Sequence, residues 1–193
     1  MTPKQIDHLK KKIADIKRQL AAEKRKFGAY DDSRGLRYLP TKYYIQLGDF
    51  TGGLTYTRWF AKNFPGDAGF PDFLFEWLLI LFKTGKLREA EQKAVTVFCA
   101  DIHLLDQFLS RPSSPPEPWE REELYSSSND LAHVHQQPAL TDFAPWLATL
   151  TASADFHRSA SRFIELRRQL YSERDLAQRQ ALVTQLQQLA YPT

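Results

Sequence analysis

The chain has 193 residues, 42% hydrophobic and 13% aromatic, with a net charge of +3. That is enough apolar material for one domain with its own core, and too little overall charge to mark a nucleic-acid binder by itself. The single cysteine, Cys99, excludes an internal disulfide. The longest apolar run, Trp77 to Phe82, is far short of the roughly 20 residues that span a bilayer. Met-Thr-Pro-Lys-Gln at the start has no apolar signal core behind it. The expectation is a soluble, cytoplasmic protein with no membrane partner.

Residues 1–28 read as a basic amphipathic helix. Ile6, Leu9, Ile13, Ile16, Leu20 and Phe27 follow a three-four alternation, the seam of a heptad repeat, which Glu23 interrupts once. Thr2 is placed to cap the helix and Gly28 to end it. Its basic residues are Lys4, Lys10, Lys11, Lys12, Lys17, Arg18, Lys24, Arg25 and Lys26, opposed only by Asp7, Asp15 and Glu23. A seam of this length either docks on the rest of the chain or makes a homodimer. The basic face is either a solvated surface or a nucleic-acid contact through Lys10, Lys11, Lys12, Lys17, Arg18, Lys24, Arg25 and Lys26.

Residues 29–109 hold two similar segments. A connector rich in turn formers carries Arg34 and Arg37, whose tyrosine-rich surroundings suit a phosphate or carboxylate contact or a structural role. Residues 41–47 follow as a short tyrosine-rich helix with a strand as competitor. Gly48-Asp-Phe is a turn, and Leu54 to Asn63 a second helix ended by Phe64-Pro65-Gly66. From Phe73 to Phe82 the chain is apolar almost all round, the mark of a helix buried on most sides. Glu76 is the only charge there before Lys83, and a carboxylate so placed requires a partner. Thr84-Gly85 is a second turn. Leu87, Ala90, Ala94, Val97 and Phe98 continue at helical spacing. Leu104 to Leu109 extend that helix or form a short one.

The turn glycines Gly48 and Gly85 lie 37 residues apart. Around each is the same pattern: a bulky residue four before (Tyr44, Leu81), then a polar and a bulky apolar residue (Asp49-Phe50, Lys86-Leu87), and a small residue five after (Gly53, Ala90). Pro65 closes the first unit, and Ile102 stands at that place in the second. This pattern resembles the tetratricopeptide repeat, a helix-turn-helix unit of about 34 residues. The resemblance covers about a third of the chain. It implies an all-α fold: two tetratricopeptide-like repeats with a long N-terminal helix and a C-terminal helical hairpin. It further implies a surface made by the first helix of each hairpin that receives a peptide or partner helix. Tyr43, Gln46 and Glu76 are the residues assigned to that surface.

Residues 110–140 are a proline- and serine-rich crossover opening with Arg111-Pro-Ser-Ser-Pro-Pro. Residues 141–193 return to helix. Thr141-Asp142 is placed as a cap, and Ser172-Glu-Arg-Asp175 reads as a capping box. The last two helices are joined tightly enough to be antiparallel neighbours.

No glycine-rich phosphate loop, nucleophile elbow or His-Glu-x-x-His helix is present in the sequence. Cys99, His103, His133 and His135 are the best zinc candidates and lack finger spacing. His133 or His135 with Asp130 would supply a base, but no nucleophile accompanies them. The sequence therefore favours a non-enzymatic scaffold without cofactor or metal that binds another protein or peptide. An RNA- or DNA-associated protein using the basic helix is the alternative.

Overall fold

The computed structural model describes residues 1–30, 32–112, 115–121 and 140–191, which hold nine α-helices and no strand. Helix α1 (Pro3–Phe27) begins as its sequence requires. Gln5 N–H donates to Thr2 Oγ1, and the Gln5 side chain accepts from Thr2 N–H at 2.8 Å. Gly28 then stops the helix in the left-handed region, with φ 74°. The middle of the seam faces inward: Ile13, Ile16 and Leu20 are buried, Ile6 and Leu9 are half-buried and Phe27 is exposed, and α1 packs on α2 (Leu39–Leu47) and on the 3₁₀ turn before it. Glu23, which breaks the seam, leaves Oε2 buried with no hydrogen-bond partner among the described residues.

The connector is held by charge and hydrogen bonds. Asp32 accepts from the N–H groups of Leu36 and Arg37 at 2.9 and 2.8 Å. Arg37 Nε meets Asp67 at 2.7 Å, Tyr38 Oη donates to the same carboxylate, and Tyr56 Oη donates to the Arg37 carbonyl at 2.6 Å. Burial pushes the Asp67 carboxyl up, but hydrogen bonds from Tyr38, Arg37 and Gly69 N–H outweigh it and hold the group below its ordinary range. Arg37 is thereby committed to Asp32 and Asp67, a structural role rather than a ligand contact.

Residues 41–47 are helical. Two hairpins follow, α2 with α3 (Phe50–Asn63) and α4 (Pro71–Lys83) with α5 (Leu87–Ala100). Their turns are built alike. Gly48 and Gly85 have φ of 68° and 70°. Each glycine N–H donates to the carbonyl three residues back, Ile45 at 2.9 Å and Phe82 at 3.0 Å. Each following N–H reaches five residues back, Asp49 to Tyr44 and Lys86 to Leu81. That bonding satisfies carbonyls a helix end otherwise leaves open. The hairpins stack through α4, which packs on both α2 and α3. Gly53 permits the close approach: a Cβ there would lie 2.9 Å from Ile80 Cδ1.

Eight residues of α4 are buried, more than in any other described helix. The side that α2, α3 and α5 leave open is covered by α6 (Leu104–Phe108) and α7 (Phe143–Thr151). Phe75 meets Phe108 and Phe143 with ring centroids 4.9 and 5.8 Å apart. Residues 104–108 form a separate helix because Asp101 turns extended and accepts from the N–H groups of His103 and Leu104. Asp142 does not cap α7 with its side chain; its carboxylate pairs with Lys83 at 3.1 Å. Helix α8 (Ala154–Ser172) lies on α5, with Phe98 against Phe156 and Phe163. Helix α9 (Leu176–Ala190) packs antiparallel on α8, and its end is tied to α5 by Thr96 Oγ1, which donates to the Ala190 carbonyl at 2.8 Å. The cap of α9 is Asp175 alone, accepting from Gln178 N–H; Ser172 still belongs to α8. Arg168 grips Glu117, and Arg167 lies over Trp119, so the short 3₁₀ turn Pro118–Arg121 rests on α8.

The Gly53 contact yields a test. Gly53→Val should cost about 2 kcal/mol through overpacking against Ile80. Gly85→Ala, with nothing within 4 Å of an added Cβ, should cost only the left-handed strain, about 1 kcal/mol. Urea midpoints measure both. No loss for Gly53→Val would show that α3 has room to shift away from α4.

Candidate functional site

Helix α1 sits on α2 by alternating apolar and cation–ring contacts. Ile13 packs with Tyr44 and Tyr56, with Tyr43, Leu47 and Trp59 around them. The lysines flanking the seam reach over the same aromatic surface. Lys12 Nζ lies 5.4 Å from the Tyr43 ring centroid, and Lys24 Nζ 4.8 Å from that of Tyr30. Lys17 Nζ donates to Tyr44 Oη at 2.8 Å. A cation over a ring is attracted by the ring quadrupole, and a lysine stem covers apolar surface as it reaches across.

Contact between α1 and α2 is incomplete. Towards the start of α1 the two helices leave a groove of about 600 Å³, lined by Ile6, Lys10, Ile13, Ala14, Lys17, Tyr44, Leu47, Gly48 and Asp49. Its floor is aliphatic. Lys10 and Lys17 stand along the α1 wall, and Asp49 lines the groove from the turn after α2, its carboxylate accepting from Gly52 N–H. Among the described residues Lys10, Lys11, Lys12 and Lys17 make no ion pair. The nine basic and three acidic side chains of α1 give +6; with +3 for the whole chain, the remaining residues sum to −3. The groove is therefore edged by the one strongly basic element.

The residues read from the sequence divide among three places. Lys10 and Lys17 line the groove, Lys12 covers Tyr43 beside it, and half-buried Gln46 lies one helical turn on from Tyr43 along α2. One residue of the partner-binding surface, Tyr43, thus meets the basic face of α1, beneath Lys12. Glu76 does not join them. It is 4% exposed and accepts from Thr41 Oγ1 at 2.5 Å, so it holds α4 to α2 instead of facing a partner. Its surface was to be shared by α2 and α4, but α4 has α6 and α7 across it. Lys11 is exposed. Arg18 pairs with Asp15 at 3.0 Å, Lys24 also donates to Asn63, Arg25 turns back to the Ala21 carbonyl, and Lys26 lies over Phe27. Sequence reasoning did not assign Ala14, Leu47 or Asp49 to a site. Only the crossing of α1 over the end of α2 brings them together.

Helix α5 carries two shifted groups. Burial pushes the Lys93 ammonium down to about 8, and its Nζ lies 4.0 Å from the Trp77 ring centroid. Burial pushes the Cys99 thiol up to about 12, which leaves it protonated and inert at neutral pH. His103 Nε2 is 2.9 Å from Glu120 Oε1. No group of three or more metal-ligating residues occurs among the described residues; His133, His135 and Asp130 lie outside them.

No protein-family model, curated protein or solved structure matches this chain.

Two tests follow from these placements. If the seam serves the fold, Ile13→Ala should lower stability by about 2 kcal/mol and leave the mass in solution unchanged. A smaller mass at unchanged stability would assign the seam to an interface between copies. Lys93 loses its proton near pH 8 when folded but only in the ordinary lysine range, near 10.4, when unfolded. The unfolded chain thus binds more protons between those values, and stability rises with pH there. Lys93→Met should raise the urea midpoint at pH 7 by the equivalent of about 1 kcal/mol, an advantage that shrinks towards pH 10. A lower midpoint at pH 7 would show that the ammonium–indole contact outweighs the cost of burial.

Proposed function

We propose that this chain is a non-catalytic scaffold that binds another protein through the surface formed by α1 and α2. The observation that carries the reading is the groove itself: an aliphatic floor with unneutralised lysines on one wall, built on rigid helices. The two hairpins with matching turns support the likeness to tetratricopeptide repeats, in which helical stacks present binding surfaces. The partner surface differs from the one that likeness implies, because α6 and α7 lie across α4. Helix α1 caps the stack and supplies one wall of the groove. The non-catalytic reading is supported by the state of Cys99 and His103: the half-buried thiol is held protonated by its surroundings, and His103 is paired with Glu120.

Capture from native lysate on the tagged chain, with and without nuclease, tests the proposal. The expected result is a stoichiometric protein that survives nuclease and is retained at high salt. Loss of all bound material on nuclease treatment, with a steep loss on raising salt, would assign α1 to nucleic acid instead.

A further inference from the structure

We infer that the occupant of the α1–α2 groove is an acidic amphipathic helix of another protein, an inference that rests on the scaffold reading above. Shape is the first reason. The α1 wall runs from Ile6 to Lys17, a separation of eleven positions, which at 1.5 Å per residue is about 16 Å, or three turns of a partner helix. Ile6 and Ile13 are seven residues apart along that wall, and Leu47 faces them from α2. A helix with apolar side chains at i, i+3 or i+4 and i+7 presents knobs at that repeat.

Charge is the second reason. Lys10 and Lys17 are also seven residues apart, about 10 Å along the axis, so carboxylates at i and i+7 on the partner meet both. Lys10 is exposed and free of any ion pair among the described residues. Lys17 uses one of its three donors on Tyr44 and keeps two. Asp49 lines the side formed by α2 and its turn and disfavours a carboxylate there, so the acidic flank of the partner lies against α1 and its other flank is neutral or basic. Two alternatives fit less well. A phosphate backbone has no use for the aliphatic floor of Ile6, Ile13 and Leu47. A second copy binding through its own α1 would bring +6 against +6.

The test uses a labelled synthetic peptide of about four helical turns with leucines at i, i+3 and i+7 and glutamates along one flank, read by fluorescence anisotropy against the full chain. Saturable binding in the micromolar range is expected, on the order of 1–10 µM. Lys10→Glu and Ile6→Glu should each weaken it at least about tenfold. Lys26→Glu makes the same charge change at the other end of the helix and should leave affinity within about twofold. Circular dichroism checks that each variant keeps its helix content; if Ile6→Glu does not fold, exposed Lys10 carries the test. The inference is overturned by no saturable binding, by equal binding of the lysine-for-glutamate peptide, or by equal weakening from Lys26→Glu. It is also overturned if a single-stranded uridine oligonucleotide binds more tightly and competes for Lys10. Nuclease-treated lysate capture with wild type and Ile6→Glu side by side separates this failure from that of the broader reading. A protein retained by both leaves a scaffold with a different binding surface. One retained by neither removes the scaffold reading as well.

Discussion

Burial of α4 is the constraint on which the rest of the structure depends. Phe73, Leu74, Phe75, Leu78, Leu79, Ile80 and Leu81 are all at or near zero exposure, and each such side chain contributes about 1.5–3 kcal/mol on leaving water. Those residues point in every direction around the axis, so no single neighbour can cover them. Helices α2 and α3 cover one side, α5 another, and α6 with α7 the third. Even the carboxylate inside its apolar stretch, Glu76, is turned to structural use by Thr41. A two-hairpin stack with so apolar a central helix is incomplete by itself, and the later part of the chain completes it.

That completion moves any binding surface to the periphery. At the other end of the stack, α1 covers α2 by a different principle. Only three of its residues are buried, and the remaining contact is made by lysine stems and ammonium groups over tyrosine rings. Such contacts tolerate incomplete closure, because a cation on a flexible stem needs no close-packed neighbour. The groove between α1 and α2 is the result. The charge balance deepens the contrast: a +6 helix lies on a remainder of −3, and long-range attraction between them favours docking while leaving the outer lysines unpaired.

The local features of the fold were legible in the sequence for local reasons. Thr2 and Gly28 bound α1, Gly48 and Gly85 sit in left-handed turns, and the apolar stripe at Phe73 to Phe82 becomes the most buried helix. Each depends on backbone chemistry within about five residues or on the 3.6-residue period. The capping box expected at Ser172 to Asp175 does not form: α8 runs on through Ser172, and the side chain of Asp175 alone caps α9.

The sequence by itself determined that the chain is helical, where most helices begin and end, and that one helix is basic and another almost wholly apolar. It did not determine which faces meet. The tertiary structure alone decided that the middle of the α1 seam closes within the chain, that α6 and α7 cover α4, that Glu76 is buried against Thr41, and that Lys10, Lys17, Leu47 and Asp49 edge one groove. The physical reason is range. Caps, turns and periodicity are set by neighbours a few residues away, while the pairing of faces is set by contacts between residues tens of positions apart, where many helices present similar apolar stripes and only their mutual packing selects among them.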